Sequence, residues 1–308
     1  MRLKLTPRSM QRQRSSRRPL LGAAVALLLG LAIPVVLVLP GAATSGTVQR
    51  PVYQPPQSYY LALGDSITYG FQPAKQRAGL PPSRFNTGYV DVFAARLRTI
   101  EPKIRVVNYG CPGESTKTFT RGGCSGRGDV KGLHDAFKGS QLDAALAFLR
   151  AHPGQVSPVT LTLFGNDWFP LVFDTCKGNV ACVRKRASSE IASFGSRLTS
   201  ILERLRAAAP TTEIIVTGAW NIDPDQLQQL SPIYRSLEAS IARAATASRA
   251  RVARMLPVFN PPGSVGSQRA RLCALTFICS KGDPHPTDAG YRVMADAHLA
   301  ASGYPRKP

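Results

Sequence analysis

Residues 59–70 read YYLALGDSITYG, and the change of character inside that stretch decides the fold. Tyr59 to Leu63 form a short aromatic and aliphatic run, the signature of a buried strand, and Gly64-Asp65-Ser66 ends it abruptly. A serine between a strand and a helix start exposes its hydroxyl at the rim of a sheet, where the first amides of the helix point toward a developing anion. Taken alone, Gly-Asp-Ser is also a common turn in which Ser66 merely caps the following helix.

Outward from this stretch, short apolar runs alternate with amphipathic ones. GYVDVFAARLRTI (88–100) predicts a helix, KIRVVNY (103–109) a strand, QLDAALAFLRAH (141–152) a helix and VTLTLF (159–164) a strand. A long helix near 183–208 follows, with Ile191, Phe194, Leu198, Ile201, Leu202 and Leu205 on one face. EIIVTG (213–218) and RVARML (251–256) predict strands on either side of a helix at 226–249, and a helix at 287–301 closes the chain. This β-α rhythm predicts one α/β domain over 59–308, a three-layer α/β/α arrangement on a five-stranded parallel sheet, with no internal repeat. Ligands of such open sheets bind beyond the carboxyl ends of the strands.

Each predicted strand end carries chemistry. After the second strand comes Asn108-Tyr109-Gly110, where a glycine offers an unobstructed backbone N–H. After the third comes Gly165-Asn166-Asp167, where Asn166 offers a side-chain amide. Before the last helix, Asp283-Pro284-His285-Pro286 places a histidine on a backbone stiffened by two prolines. His134, His152 and His298 have no such company and read as structural. A serine, a histidine beside a carboxylate, a glycine amide and an asparagine amide are the parts of nucleophilic acyl transfer.

GDSITYG, NYG, GND and DPHPTDAGY, in this order and context, resemble the GDSL or SGNH hydrolase family across essentially the whole domain. The resemblance implies a flavodoxin-like fold, Ser66 as nucleophile and His285 as general base. It further implies an oxyanion hole made by the amides of Ser66 and Gly110 and the side chain of Asn166, with no metal or cofactor. One position departs from the family pattern, which has Asp three residues before the histidine. Here Gly282 stands there and Asp283 is only two before. Asp283 is the expected orienter of His285; Asp288, at the start of the last helix, suits the helix dipole, and a Ser–His dyad is what remains if neither reaches the ring.

The apolar run Trp168-Phe169-Pro170-Leu171-Val172-Phe173 reads either as an acyl-pocket wall or as packed core. A lipid or simple carboxylic ester is the first expectation for the substrate, and deacetylation of an envelope or plant polysaccharide the second. The third, a noncatalytic cell-surface binding domain, leaves Ser66, Asn166 and His285 without a purpose.

The chain of 308 residues carries 39 Lys and Arg against 18 Asp and Glu, a net charge of +21. Seven of the basic residues and none of the acidic ones precede residue 44, so the remainder still carries +14. Arg2 to Arg18 form a basic segment before 20 apolar residues, Leu20–Leu39, which marks an export segment at 1–43, either a cleaved signal or a retained anchor. Ser16-Arg17-Arg18-Pro19-Leu20-Leu21 also resembles a twin-arginine export signal. Residues 44–58, rich in Pro and Gln, read as a tether. The dispersed basic residues and the absence of nucleic-acid motifs argue against nucleic acid and for an anionic cell envelope as a partner. Six cysteines in three close groups predict local disulfides Cys111–Cys124, Cys176–Cys182 and Cys273–Cys279 in an oxidising compartment, and their spacings do not fit zinc.

Overall fold

The computed structural model describes residues 50–305, and the expected export segment lies outside them. Five parallel strands, β1 (Tyr59–Gly64), β2 (Arg105–Asn108), β3 (Val156–Thr162), β4 (Ile214–Thr217) and β5 (Arg251–Ala253), lie in the order β2-β1-β3-β4-β5. The chain runs from β1 outward to β2 and returns past β1 to β3. The strand order therefore reverses around β1, and the crevice opens at its carboxyl end, where Ser66 follows.

Every residue of β3 and β4 is buried, as strands covered by helices on both faces require. Helices Tyr89–Leu97 and Asp288–Ser302 pack together on one side, and Gln141–Ala151, Val180–Ala208 and Leu227–Ala247 form the other layer. Val180–Ala208 buries the six apolar side chains of the expected face, each worth roughly 1.5–3 kcal/mol when removed fully from water. Among the described residues no helix is long and apolar enough to cross a membrane.

Two expectations about boundaries change. β3 begins at Val156, not after Pro158. A proline cannot donate to a ladder, but the register slips between Tyr59 and Leu61, so Pro158 sits at an irregularity where that N–H is not needed. The described part of the expected tether is also laid against the domain. Val52 is buried and donates its N–H to Arg249 O at 3.0 Å, and the Tyr304 hydroxyl donates to Gln54 O at 3.0 Å. Helices Thr116–Arg121 and Val265–Leu275 were not anticipated, the latter because only Leu272 and Leu275 along it are buried.

All six cysteines are paired as their spacing predicts, Cys111–Cys124, Cys176–Cys182 and Cys273–Cys279. Two of these bridges close loops that carry the site described below.

The end of β1 admits no side chain. Gly64 has φ +131, and a Cβ there would lie 2.2 Å from Thr162 O on the neighbouring strand. Gly64→Ala is therefore expected to destabilise the fold by at least about 2 kcal/mol, from combined backbone strain and overlap, as measured by urea unfolding. An unchanged midpoint would contradict this close approach of β1 and β3.

Candidate active site

Asp65 caps the short helix Ser66–Tyr69, its Oδ1 accepting the Ile67 N–H at 2.9 Å. That bond sets the turn that lifts Ser66 from the end of β1, and among the described residues the Ser66 N–H makes no hydrogen bond. Beneath the turn, the buried Gln141 side chain grips Gly64 at both ends. Its Oε1 accepts the Gly64 N–H at 2.6 Å and its Nε2 donates to Gly64 O at 3.0 Å. The same Nε2 donates to Glu114 Oε2 at 2.9 Å.

From the far end of the chain, His285 meets this turn. His285 Nε2 lies 2.8 Å from Ser66 Oγ, and its Nδ1 lies 2.7 Å from Asp283 Oδ1. Asp283 Oδ1 also accepts the His285 backbone N–H at 2.9 Å. Burial alone would raise the Asp283 carboxyl, but the hydrogen bonds and charge of His285, with Arg77 beyond, hold it below the ordinary value. An ionised carboxylate only accepts, so Nδ1 donates to it and Nε2 is left as the acceptor facing the serine hydroxyl. The two-residue spacing thus reaches the ring in spite of Pro284. Asp288 is elsewhere, accepting from Gln72 Nε2 at 2.7 Å.

The loop bearing His285 is fixed from outside. His285 O accepts from Phe277 N–H at 3.0 Å and Leu275 O accepts from Thr287 N–H at 2.9 Å, which ties it to the segment closed by Cys273–Cys279. The Phe71 ring leans on the imidazole with centroids 4.5 Å apart.

Asn166, just after β3, lines the same cleft. One Nδ2 hydrogen is held by Glu114 O at 2.9 Å, which aims the amide and leaves its second N–H free to donate. Gly110 does not take the expected position. Its N–H donates to Asn108 Oδ1 at 2.9 Å, and its Cα packs so closely on the Thr68–Tyr69 backbone that a Cβ would lie 2.6 Å from Tyr69 N. A committed amide cannot also hold an oxyanion. The next glycine of that loop, Gly113, adjoins the residue whose carbonyl holds Asn166, and its N–H makes no hydrogen bond among the described residues. Sequence reasoning stopped at the first glycine after the strand; the turn closed by Cys111–Cys124 carries the available amide two residues beyond the cysteine.

The cleft is lined by Ile67, Phe164, Phe169, Trp220 and Pro284 beside Ser66, Asn166 and His285. Of the apolar run 168–173 only Phe169 reaches it. Trp168, Leu171 and Val172 are core, and Phe173 is exposed. His134, His152 and His298 bond to backbone carbonyls, and burial pulls His298 down to about 4.

Behind Ser66 lies a buried acidic group. Burial pushes both Asp65 and Glu114 up to about 7, against the hydrogen bonds they accept. Asp167 beside them is neutralised by Arg197, 3.1 Å away, and accepts from the Thr116 N–H at 2.8 Å, which pins the loop after β2 to the loop after β3.

The family description GDSL-like lipase/acylhydrolase matches residues 62–293. No protein of curated function matches the chain. Among solved structures, phospholipase A1 from Streptomyces albidoflavus aligns with a TM-score of 0.53 at 18% identity, covering 79% of this chain and 99% of that one. A candidate GDSL-like lipase from Parabacteroides merdae aligns with a TM-score of 0.52 at 16% identity, covering 82% and 99%. An acetylxylan esterase from Geobacillus stearothermophilus aligns at 0.48 and 17% identity, covering 81% and 96%. At these identities the likeness is one of fold.

Two outcomes follow from the geometry. Asp283→Asn should lower kcat by about 10^4, the loss expected when a triad acid is replaced, while Asp288→Asn stays within about threefold; steady-state kinetics that reverse the two would displace Asp283. For stability, Asp65 and Glu114 bind protons more tightly folded than unfolded, where their values are 3.8 and 4.5. Their contribution is complete below about pH 4 and lost as pH rises through 7. Calorimetry should show Tm falling from pH 5 to pH 8, with a shallower fall in Glu114→Gln; an equal slope in that variant would remove Glu114 from the account.

Proposed function

We propose, for a chain that belongs to the GDSL-like lipase/acylhydrolase family and is thereby a carboxylic ester hydrolase, that it is an exported serine esterase acting on lipid or simple acyl esters. The observation that carries this reading is the chain Ser66 Oγ, His285 Nε2, His285 Nδ1, Asp283 Oδ1, with steps of 2.8 and 2.7 Å, set at the edge of an apolar cleft. His285 Nε2 takes the proton as Ser66 Oγ attacks the ester carbonyl, and Asp283 stabilises the imidazolium that forms. The developing oxyanion is held by the free N–H groups of Ser66, Asn166 and Gly113. His285 then protonates the departing alcohol, and the acyl group stays on Ser66. A water, deprotonated by His285, attacks that ester and releases the acid, restoring the serine. Protein groups perform every one of these steps.

The aromatic lining of the cleft supports an acyl group with hydrocarbon character, since Phe164, Phe169 and Trp220 offer apolar surface on the side of Asn166 that faces Ser66. Three disulfides support an oxidising compartment, and with the basic, apolar N-terminal sequence they support export, either released or tethered to the outer face of the membrane. The net positive charge of the exported part supports residence near an anionic envelope.

A panel of p-nitrophenyl esters from acetyl to long acyl, run beside acetylated polysaccharide, tests this. Hydrolysis should favour acyl chains longer than acetyl and vanish in Ser66→Ala, and an organophosphate should label Ser66 alone. Release of acetate from polysaccharide without hydrolysis of longer esters would move the substrate to acetyl groups. A wild-type chain inert to every ester would leave only a binding role.

A further inference from the structure

Asn166 stands between two recesses of opposite character. On one side is the apolar cleft of Ser66. On the other is a second recess of about 590 Å³, which shares Asn166 with the first and is lined by Lys117, Arg186, Glu190, Asp167 and Arg197.

The charges of this recess do not cancel internally. Asp167, almost wholly buried, is taken by Arg197 Nη2 at 3.1 Å, and Arg197 Nε also donates to Thr116 Oγ1 at 2.6 Å. That pair is therefore structural and closed. Among the described residues Lys117 and Arg186 make no ion pair and no side-chain hydrogen bond, and neither does Glu190. Two cations and one carboxylate are thus left facing the space. They come from different elements, Lys117 from the helix Thr116–Arg121 and Arg186 and Glu190 from the helix Val180–Ala208, so the concentration of charge arises where the two meet.

An ester bound for attack at Ser66 has its carbonyl oxygen at Asn166, and its acyl and alcohol halves depart from that carbonyl in different directions. The alcohol oxygen stays within reach of His285, and because Asn166 lines both recesses, an alcohol half that continues past it from the apolar cleft meets the cations. Taking the esterase reading as its premise, we propose that this recess is a subsite for an oxyanion, a phosphate or a carboxylate, carried on the alcohol half of the substrate. Arg186 offers a planar fork and Lys117 a mobile ammonium, a pair suited to an oxyanion that is delivered by different substrates and not held as a fixed cofactor. Glu190, four residues after Arg186 on the same helix face, opposes the anion and tempers its affinity, which favours release of the charged alcohol after acyl transfer.

The test uses the full-length protein and esters of one acyl chain on three alcohols: glycerol, glycerol 3-phosphate and glyceric acid. The measured quantity is the ratio of kcat/KM for each anionic ester over the glycerol ester. In Lys117→Gln/Arg186→Gln that ratio should fall about tenfold or more through KM, and in Glu190→Gln it should rise. Opposite signs from substitutions at exposed side chains lining one recess are not produced by damage to the fold. The phosphate and carboxylate arms tell which oxyanion is preferred. Ratios unaltered in both variants, or lowered in both, would overturn the subsite while leaving the esterase reading intact. If the wild type hydrolyses none of the three esters in a manner abolished by Ser66→Ala, the esterase reading itself fails. The subsite then stands or falls on whether glycerol 3-phosphate binds the wild type by calorimetry and not Lys117→Gln/Arg186→Gln.

Discussion

The close approach of β1 and β3 at Gly64 is the constraint on which the site depends. The strand must stop where its neighbour's carbonyl leaves no room for a Cβ, and it must turn there without its backbone groups going unpaired in a dry interior. Gln141 resolves the second demand by answering both the N–H and the C=O of Gly64 with one side chain. Asp65 then accepts the Ile67 amide, which leaves the Ser66 N–H without a hydrogen bond among the described residues. Ser66, half-buried, keeps its hydroxyl for His285 because the residues around it are committed elsewhere.

The same economy explains why acidic groups are buried behind Ser66. Glu114 ties Gln141 with its side chain and Asn166 with its main chain, so one residue couples the turn that holds Ser66 to the Asn166 amide. Asp167 does similar work between Thr116 and Arg197. These groups lie where a carboxylate is costly, and the upward displacement of Asp65 and Glu114 is the electrostatic expression of that cost. Positional accuracy at the cleft is obtained at the expense of stability toward neutral pH.

The strands, the long amphipathic helices and the local disulfides were legible because each is encoded within a few residues of itself: a run of apolar side chains, a face repeating every three or four positions, a pair of near cysteines. Ser66, Asn166 and His285 were legible for a related reason, since strand ends are where an open sheet exposes its chemistry. What escaped depends on how loops fold back. Gly110 and Gly113 look equivalent in sequence, and what separates them is the bond from Gly110 N–H to Asn108 Oδ1 and the packing of Gly110 on the Thr68–Tyr69 backbone. Gln141 and Glu114 carry no motif, because a buried amide that grips a backbone from 77 residues away has no local signature. The aromatic wall is likewise assembled from the ends of β3 and β4, so that Phe164 and Trp220, distant in sequence, share a cleft that only one member of the run 168–173 enters.

Asn166 acquires a second meaning from its place between the two recesses. Its amide is anchored to Glu114 O, as the proposed role of oxyanion donor demands, and that anchor draws the loop after β2 against the loop after β3. Closing those loops together necessarily separates the space above the sheet into two compartments. One keeps the aromatic side chains of the strand ends. The other is lined mainly by polar side chains of two helices, Lys117 on one and Arg186, Glu190 and Arg197 on the other, with Pro170 and Leu171 beside them. A partition of hydrocarbon from charge, set at Asn166, where the proposed function puts the ester carbonyl, therefore follows from the fixing of that amide. It requires no element beyond those that already position the catalytic groups.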